Sequence, residues 1–156
     1  MANKPICLIM RGASGAGKDW WIRRHVVPSA VIVSADDFFM KDGHYEFDRE
    51  RLPEAHDMCL RTFLAAIERR AELIIVNNTN TRVWELAPYY RVAEAAGYDV
   101  EIIWLIADPL TCFGRSRHNV AAEVIQQMIT GVDSLPPWWQ VSLITNTQDE
   151  PAEAVL

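Results

Sequence analysis

Eight consecutive residues carry the clearest chemistry in this chain: Gly12, Ala13, Ser14, Gly15, Ala16, Gly17, Lys18 and Asp19. Their spacing is that of a phosphate-binding P-loop, G-x-x-x-x-G-K-[ST], with Asp19 where a serine or threonine is expected. Such a loop turns backbone N–H groups and a helix N-terminus toward an anion. The lysine, Lys18, is placed to reach the β- and γ-phosphates of a bound nucleotide. The usual hydroxyl is a neutral Mg²⁺ ligand. A carboxylate is a stronger oxygen ligand for Mg²⁺ but adds negative charge beside a polyphosphate. Asp19 therefore ligates the metal directly, holds it through water, or marks a loop without catalysis. Retained metal binding is the reading we adopt.

Three further polar clusters follow apolar runs. Ser34-Ala35-Asp36-Asp37 follows one run, and its paired acids suit an acceptor site. Transfer of a phosphoryl group to a hydroxyl needs a carboxylate that orients the acceptor and takes its proton. Asp36 is the candidate for that role, and Asp37 either joins it on the substrate side or caps the following turn. The run Leu73 to Val76 leads into Asn77-Asn78-Thr79-Asn80, with Asn78 and Asn80 as substrate-side candidates. After a third run comes Arg115-Ser116-Arg117-His118, a basic segment suited to a lid over the nucleotide. A lid arginine that offsets charge on the transferring group contributes about 10³–10⁵ in rate. Arg115 is the first candidate and Arg117 the second. Tyr45 and Phe47 either stack on a base or pack beneath their loop, whereas Trp138-Trp139 suits packing.

These residues need a scaffold, and the pattern supplies one. Strand-like runs at 5–10, 30–34, 73–76, 100–106 and 141–144 alternate with helical stretches at 19–27, 53–70, 83–96, 109–118 and 121–130. Alternation of this kind predicts an α/β domain with a parallel sheet of four to five strands flanked by helices. A loop is expected over 35–52, Gly97 as a helix C-cap, and Met58, Phe63, Leu64 and Ile67 on one buried helix face. In open α/β sheets, ligands sit beyond the carboxyl ends of the strands. The P-loop, Ser34 to Asp37, Asn77 to Asn80 and, after the fourth run, Ala107-Asp108-Pro109 each fall at such an end, and this convergence weighs more than any single motif.

Length and composition set the bounds. The 156 residues read as one domain over 1–145 followed by a polar tail, 146–156. No apolar run reaches the roughly 18 residues needed to cross a bilayer, and the N-terminal apolar run is strand-sized, without a signal-peptide pattern. Three scattered cysteines show neither metal spacing nor a disulfide framework, so a reducing cytoplasm is expected. A net charge of −6 argues against a protein that coats a long duplex, but leaves room for grasping one nucleotide or one strand end.

Taken together, the motifs resemble the P-loop kinase family that includes phage polynucleotide 5′-kinase and the NEDD4-binding-protein-2-like kinase domains. The resemblance runs over about residues 5–130. It rests on the P-loop, Ser34 to Phe39, Tyr45-Glu46-Phe47-Asp48, Leu52 to His56, Asn78-Thr79-Asn80 and the lid from Arg115 to His118. It implies ATP with Mg²⁺ and transfer of the γ-phosphate to a hydroxyl. It also implies that Asp36 activates the acceptor, and that Lys18, Arg115, Arg117 and His118 hold phosphates. Relatives often carry Asp where this chain has Asn77, and a different lid sequence. Loss of an acid at 77 and gain of one at 19 reads as a compensating pair. The first functional reading is a kinase acting on a nucleic-acid hydroxyl, most naturally a 5′ end. The alternatives are a kinase of a free nucleoside, a nucleotide or a hydroxymethylated base in DNA, and a nucleotide-binding module without catalysis.

Overall fold

The computed structural model describes residues 2–116 and 118–145. Arg117 and the expected tail, 146–156, lie outside them. In chain order the elements are β1 (Ile6–Arg11), α1 (Lys18–His25), β2 (Val31–Val33), β3 (Met40–Lys41), β4 (His44–Tyr45), α2 (Leu52–Glu68), β5 (Leu73–Asn77), α3 (Val83–Ala95), β6 (Asp99–Ile106), α4 (Pro109–Arg115), α5 (Ala122–Thr130) and β7 (Val141–Thr145). Five strands form one parallel sheet in the order β2-β5-β1-β6-β7. The other two, β3 and β4, form a small antiparallel hairpin.

The central strand β1 explains the arrangement. Cys7 and Ile9 are fully buried toward a core that holds Phe63, Leu86 and Tyr89, while Met10 is buried toward a second core with Trp21, Ile22 and Ile125. A strand covered on both faces must be apolar throughout, and this one is until its last residue. There Arg11 is fully buried, its guanidinium lying 4.4 Å over Trp104 and donating to the Thr81 carbonyl at 2.9 Å. Asp133, from the segment after α5, accepts from the Val83 N–H at 2.9 Å and so caps α3.

Two expectations change. The span 35–52 is not an open loop: a 3₁₀ turn, Ala35–Phe39, leads into the β3–β4 hairpin and a second 3₁₀ turn, Arg49–Arg51. The buried face of α2 is Ala55, Cys59, Phe63 and Ala66, with Leu64 exposed. Of the expected face, Phe63 is buried and Met58 and Ile67 are half-buried, and the small residues Ala55, Cys59 and Ala66 take the rest of it. Among the described residues, no helix is long and apolar enough to cross a membrane.

Candidate active site

The P-loop joins β1 to α1 at the carboxyl edge of the sheet. Gly17 is the residue before the helix, at φ 103°, a conformation that side chains other than glycine resist. Gly15 is required for a different reason: a Cβ there would lie 2.0 Å from the Cys112 carbonyl oxygen of α4. The lid helix therefore seats directly on the tip of the loop. A hydroxyl pair, Ser14 and Ser116, joins the same two segments at 3.0 Å. Ala13 and Ala16 are buried beneath, filling space that a larger side chain would force open.

Lys18 turns back over this loop. Its ammonium donates to the Gly12 and Ala13 carbonyls, each at 2.9 Å. Burial pushes its pKa down to about 8, with the Asp19 carboxylate the largest opposing influence. The pocket it borders is about 120 Å³ and is lined by Ser14, Asp19, Asp36, Asn77, Arg115 and His118, among others. That is less than the ~300 Å³ at which whole-ligand pockets begin, so it has room for phosphate groups rather than a complete nucleotide.

Asp36 reaches this pocket from the turn after β2. The start of the turn is fixed by two bonds: Ser34 Oγ accepts from the Asp36 N–H at 3.2 Å, and Asn78 Oδ1 accepts from the Ala35 N–H at 2.9 Å. Both carboxylate oxygens of Asp36 have neighbours. The Tyr45 hydroxyl donates to Oδ1 at 3.1 Å, and His118 Nε2 stands 3.8 Å from Oδ2. The Tyr45 and His118 rings stack with centroids 3.8 Å apart. Burial, then the charge of Asp36, hold the Tyr45 phenol well above its ordinary pKa, so it stays a donor. Hairpin and lid thus meet over one carboxylate.

The sequence-derived candidates divide accordingly. Lys18, Asp19, Asp36, Asn78, Arg115 and His118 come together around the pocket. Arg117 lies outside the described residues. Asp37 does not line the pocket; successive residues of a 3₁₀ turn point about 120° apart, which carries it away from Asp36. Burial, then the Asp36 charge, raise its carboxyl above the ordinary value. Asn80 does not line the pocket either. It is 1% exposed, at φ 50°, with its amide donating to the Met10 carbonyl at 2.8 Å, so it ties the end of β1 to the segment after β5. One face of the Tyr45 ring is taken by His118.

One contact was not foreseen as a contact. Asn77 Nδ2 donates to Asp19 Oδ1 at 2.8 Å. The two positions at which the chain departs from its expected pattern are therefore bonded to each other. Thr79, also on the pocket wall, holds the loop from behind by accepting from the Gly12 N–H at 2.9 Å. Backbone contacts of this kind leave no signal in a side-chain pattern.

The AAA domain family matches residues 7–132. A segment of NEDD4-binding protein 2 from Homo sapiens is 33% identical over 130 residues, which is 80% of this chain and 7% of that protein's length. A chain in the Pnkp1/Rnl/Hen1 RNA repair complex superposes with a TM-score of 0.65 at 19% identity, covering 83% of this chain and 44% of that one. A gluconokinase from Sinorhizobium meliloti 1021 superposes with a TM-score of 0.56 at 14% identity, covering 95% of this chain and 86% of that one. At such identities the superpositions speak for the fold alone. The family match extends over most of the chain and includes the P-loop, Asp36 and the lid: this chain belongs to the AAA domain family of P-loop kinases.

Proposed function

We infer that the chain is an ATP- and Mg²⁺-dependent kinase that transfers the γ-phosphate to a hydroxyl of a nucleic acid, in first place a 5′-hydroxyl end. The observation that carries this reading is that the Asp36 carboxylate and the phosphate-binding groups Lys18 and Arg115 line one pocket. A binding module has no use for a carboxylate directed at the transferring group, whereas phosphoryl transfer to an alcohol does.

The residues fit a metal. Mg²⁺ takes one or two carboxylates and completes its shell with phosphate oxygens and water. Asp19 lines the pocket, and its Oδ1 is engaged by Asn77, which leaves Oδ2 for the ion. Among the described residues there is no cluster of three metal-ligating side chains, which accords with an ion held largely by the nucleotide. When bound, Mg²⁺ supplies neutralisation of the β- and γ-phosphate oxygens.

The chain's own groups do the rest. Lys18 and the loop N–H groups hold the phosphates. Asp36 accepts a hydrogen bond from the acceptor hydroxyl and takes its proton. The acceptor oxygen then bonds to the γ-phosphorus as the bond to the β–γ bridging oxygen breaks, and ADP leaves. Tyr45 keeps the carboxylate oriented, and Arg115 offsets charge on the group in transit. His118, expected on the phosphates, is better placed to close the acceptor side over Asp36.

A second reading keeps this chemistry with a small acceptor. The fold shared with a gluconokinase and the net charge of −6 favour it. The test offers labelled ATP in turn to an oligonucleotide with a 5′-hydroxyl, a free nucleoside, a hydroxymethylated duplex and gluconate. Label on the oligonucleotide alone supports the first reading, and label on a small acceptor alone overturns it.

A further inference from the structure

Beside the β3–β4 hairpin lies a second concavity of about 430 Å³, within the ~300–1,000 Å³ range of ligand sites and larger than the phosphate pocket. We propose that this groove is the path of the acceptor strand, taking the nucleotides that follow the 5′ end, with a base on Phe47 and a phosphate on Arg49. The proposal rests on the nucleic-acid kinase reading above and specifies its substrate as a strand of more than one nucleotide.

Three observations converge. Aromatic contacts link the groove wall to the site. The Tyr45 hydroxyl is on Asp36, and the Tyr45 and Phe47 rings lie 6.3 Å apart and 14° from parallel. Phe47 is 54% exposed although it is a large apolar ring on a groove wall. Buried Phe39 props it from beneath at 5.1 Å, so the exposed ring is held and does not need to be ordered on binding. A fixed, exposed ring one aromatic step from the candidate base is what a stacking platform for a single strand requires.

Charge gives the third. Lys41, Arg49 and Arg51 line the groove with Glu46 and Asp48. Both acids are engaged: Glu46 pairs with Lys41 at 3.4 Å, and Asp48 accepts from the Glu50 N–H at 3.0 Å. Arg51 pairs with Glu54 at 2.9 Å and lies over Phe38. Arg49 has no ion-pair partner among the described residues, so it is the cation available to a phosphate. One or two phosphate contacts suit a short strand, and they reconcile an acidic protein with a polyanionic substrate.

The test measures phosphorylation of a 5′-hydroxyl hexanucleotide and of a nucleoside 3′-monophosphate, together with anisotropy of a 3′-labelled hexanucleotide. The proteins are the full chain and its Phe47→Ala and Arg49→Glu variants. The groove predicts that each variant raises the KM and Kd for the hexanucleotide about tenfold. The KM for ATP and for the nucleoside monophosphate stay within twofold. Hexanucleotide that is phosphorylated with unchanged KM and Kd in both variants overturns the groove while the kinase reading stands. Binding that depends on Phe47 and Arg49 without phosphorylation supports the groove and removes the kinase reading. Wild-type protein that neither binds nor phosphorylates the hexanucleotide removes both. Both side chains are exposed, and unchanged ATP binding shows that the variants are folded.

Discussion

The carboxamide of Asn77 donates to the carboxylate of Asp19 across 2.8 Å, joining the end of β5 to the first turn of α1. An acid at both positions would set two like charges in contact beside a polyphosphate. An amide at 77 instead fixes one Asp19 oxygen and, in the proposed reading, leaves the other for Mg²⁺. The bond predicts that the two residues act as a unit.

Asn77→Asp should therefore weaken Mg²⁺-dependent ATP binding by about tenfold or more, since opposed carboxylates at contact distance cost over 1 kcal/mol. Asp19→Ser should weaken it as well. The double variant Asp19→Ser/Asn77→Asp should recover most of either loss, because an acid is then present at only one of the two positions. Calorimetric titration of ATP at several Mg²⁺ concentrations reads this coupling. Additive losses in the double variant would show that the two side chains act independently.

Lys18 gives a pH prediction. Burial lowers it from 10.5 to about 8, so near pH 8 about half of the nucleotide-free protein carries it neutral. Phosphate oxygens favour the charged form, so ATP binding at pH 8 should take up about half a proton, and at pH 6.5 almost none. Titrations in buffers of different ionisation enthalpy measure the uptake directly. The stability sign follows from the same shift. The folded state binds fewer protons than the unfolded state between about pH 8 and 10.5. The Lys18 contribution to stability therefore rises across that window, is worst below it, and is flat above it. Equal proton uptake at pH 6.5 and 8 would contradict the assignment.

In the proposed reading Tyr45 is a positioning residue for Asp36, through its hydroxyl on Oδ1. Tyr45→Phe removes the hydroxyl on Oδ1 and keeps the ring on His118. Loss of a hydrogen bond to a charged group is worth ~1.5–3 kcal/mol, so kcat should fall about tenfold or more while the KM for ATP is unchanged. Tyr45→Ala also removes the ring stack and should in addition raise the KM for the acceptor. A fall in ATP affinity in Tyr45→Phe would assign the residue to the nucleotide side instead.

Asn80 should matter for stability. Asn80→Ala strands the buried Met10 carbonyl and leaves a Cβ residue at φ 50°, costing about 2 kcal/mol or more in urea unfolding. Asn80→Gly should cost less, because glycine tolerates that φ. A large loss of kcat/KM for the acceptor with unchanged stability would return Asn80 to the substrate side.

What could be read from the sequence was what local chemistry dictates. The P-loop is legible because turn, helix start and lysine are adjacent in the chain, and Asp36 is legible because it follows a strand whose end must face the ligand edge. The parallel sheet follows from the alternation of runs. Asp37 and Asn80 do not line the pocket although their types suit a site, because their directions are set by a 3₁₀ turn and by a bond to Met10, 70 residues away in sequence. The Tyr45 role was missed because the hairpin that delivers its hydroxyl to Asp36 has strands of two residues each, too short for any periodicity. The Asp19–Asn77 bond spans 58 residues, and only the coincidence of two departures hinted at it.

The most direct test of the account is transfer of labelled γ-phosphate from ATP to a 5′-hydroxyl oligonucleotide by wild type and Asp36→Asn, with ATP affinity measured on both. The account predicts label at the 5′ end with wild type. In Asp36→Asn it predicts a loss of at least 10²-fold in transfer, the lower bound for a general base, with ATP affinity within a few-fold. Transfer that survives in Asp36→Asn, or transfer and ATP affinity that fall together, would contradict the placement of Asp36 on the acceptor.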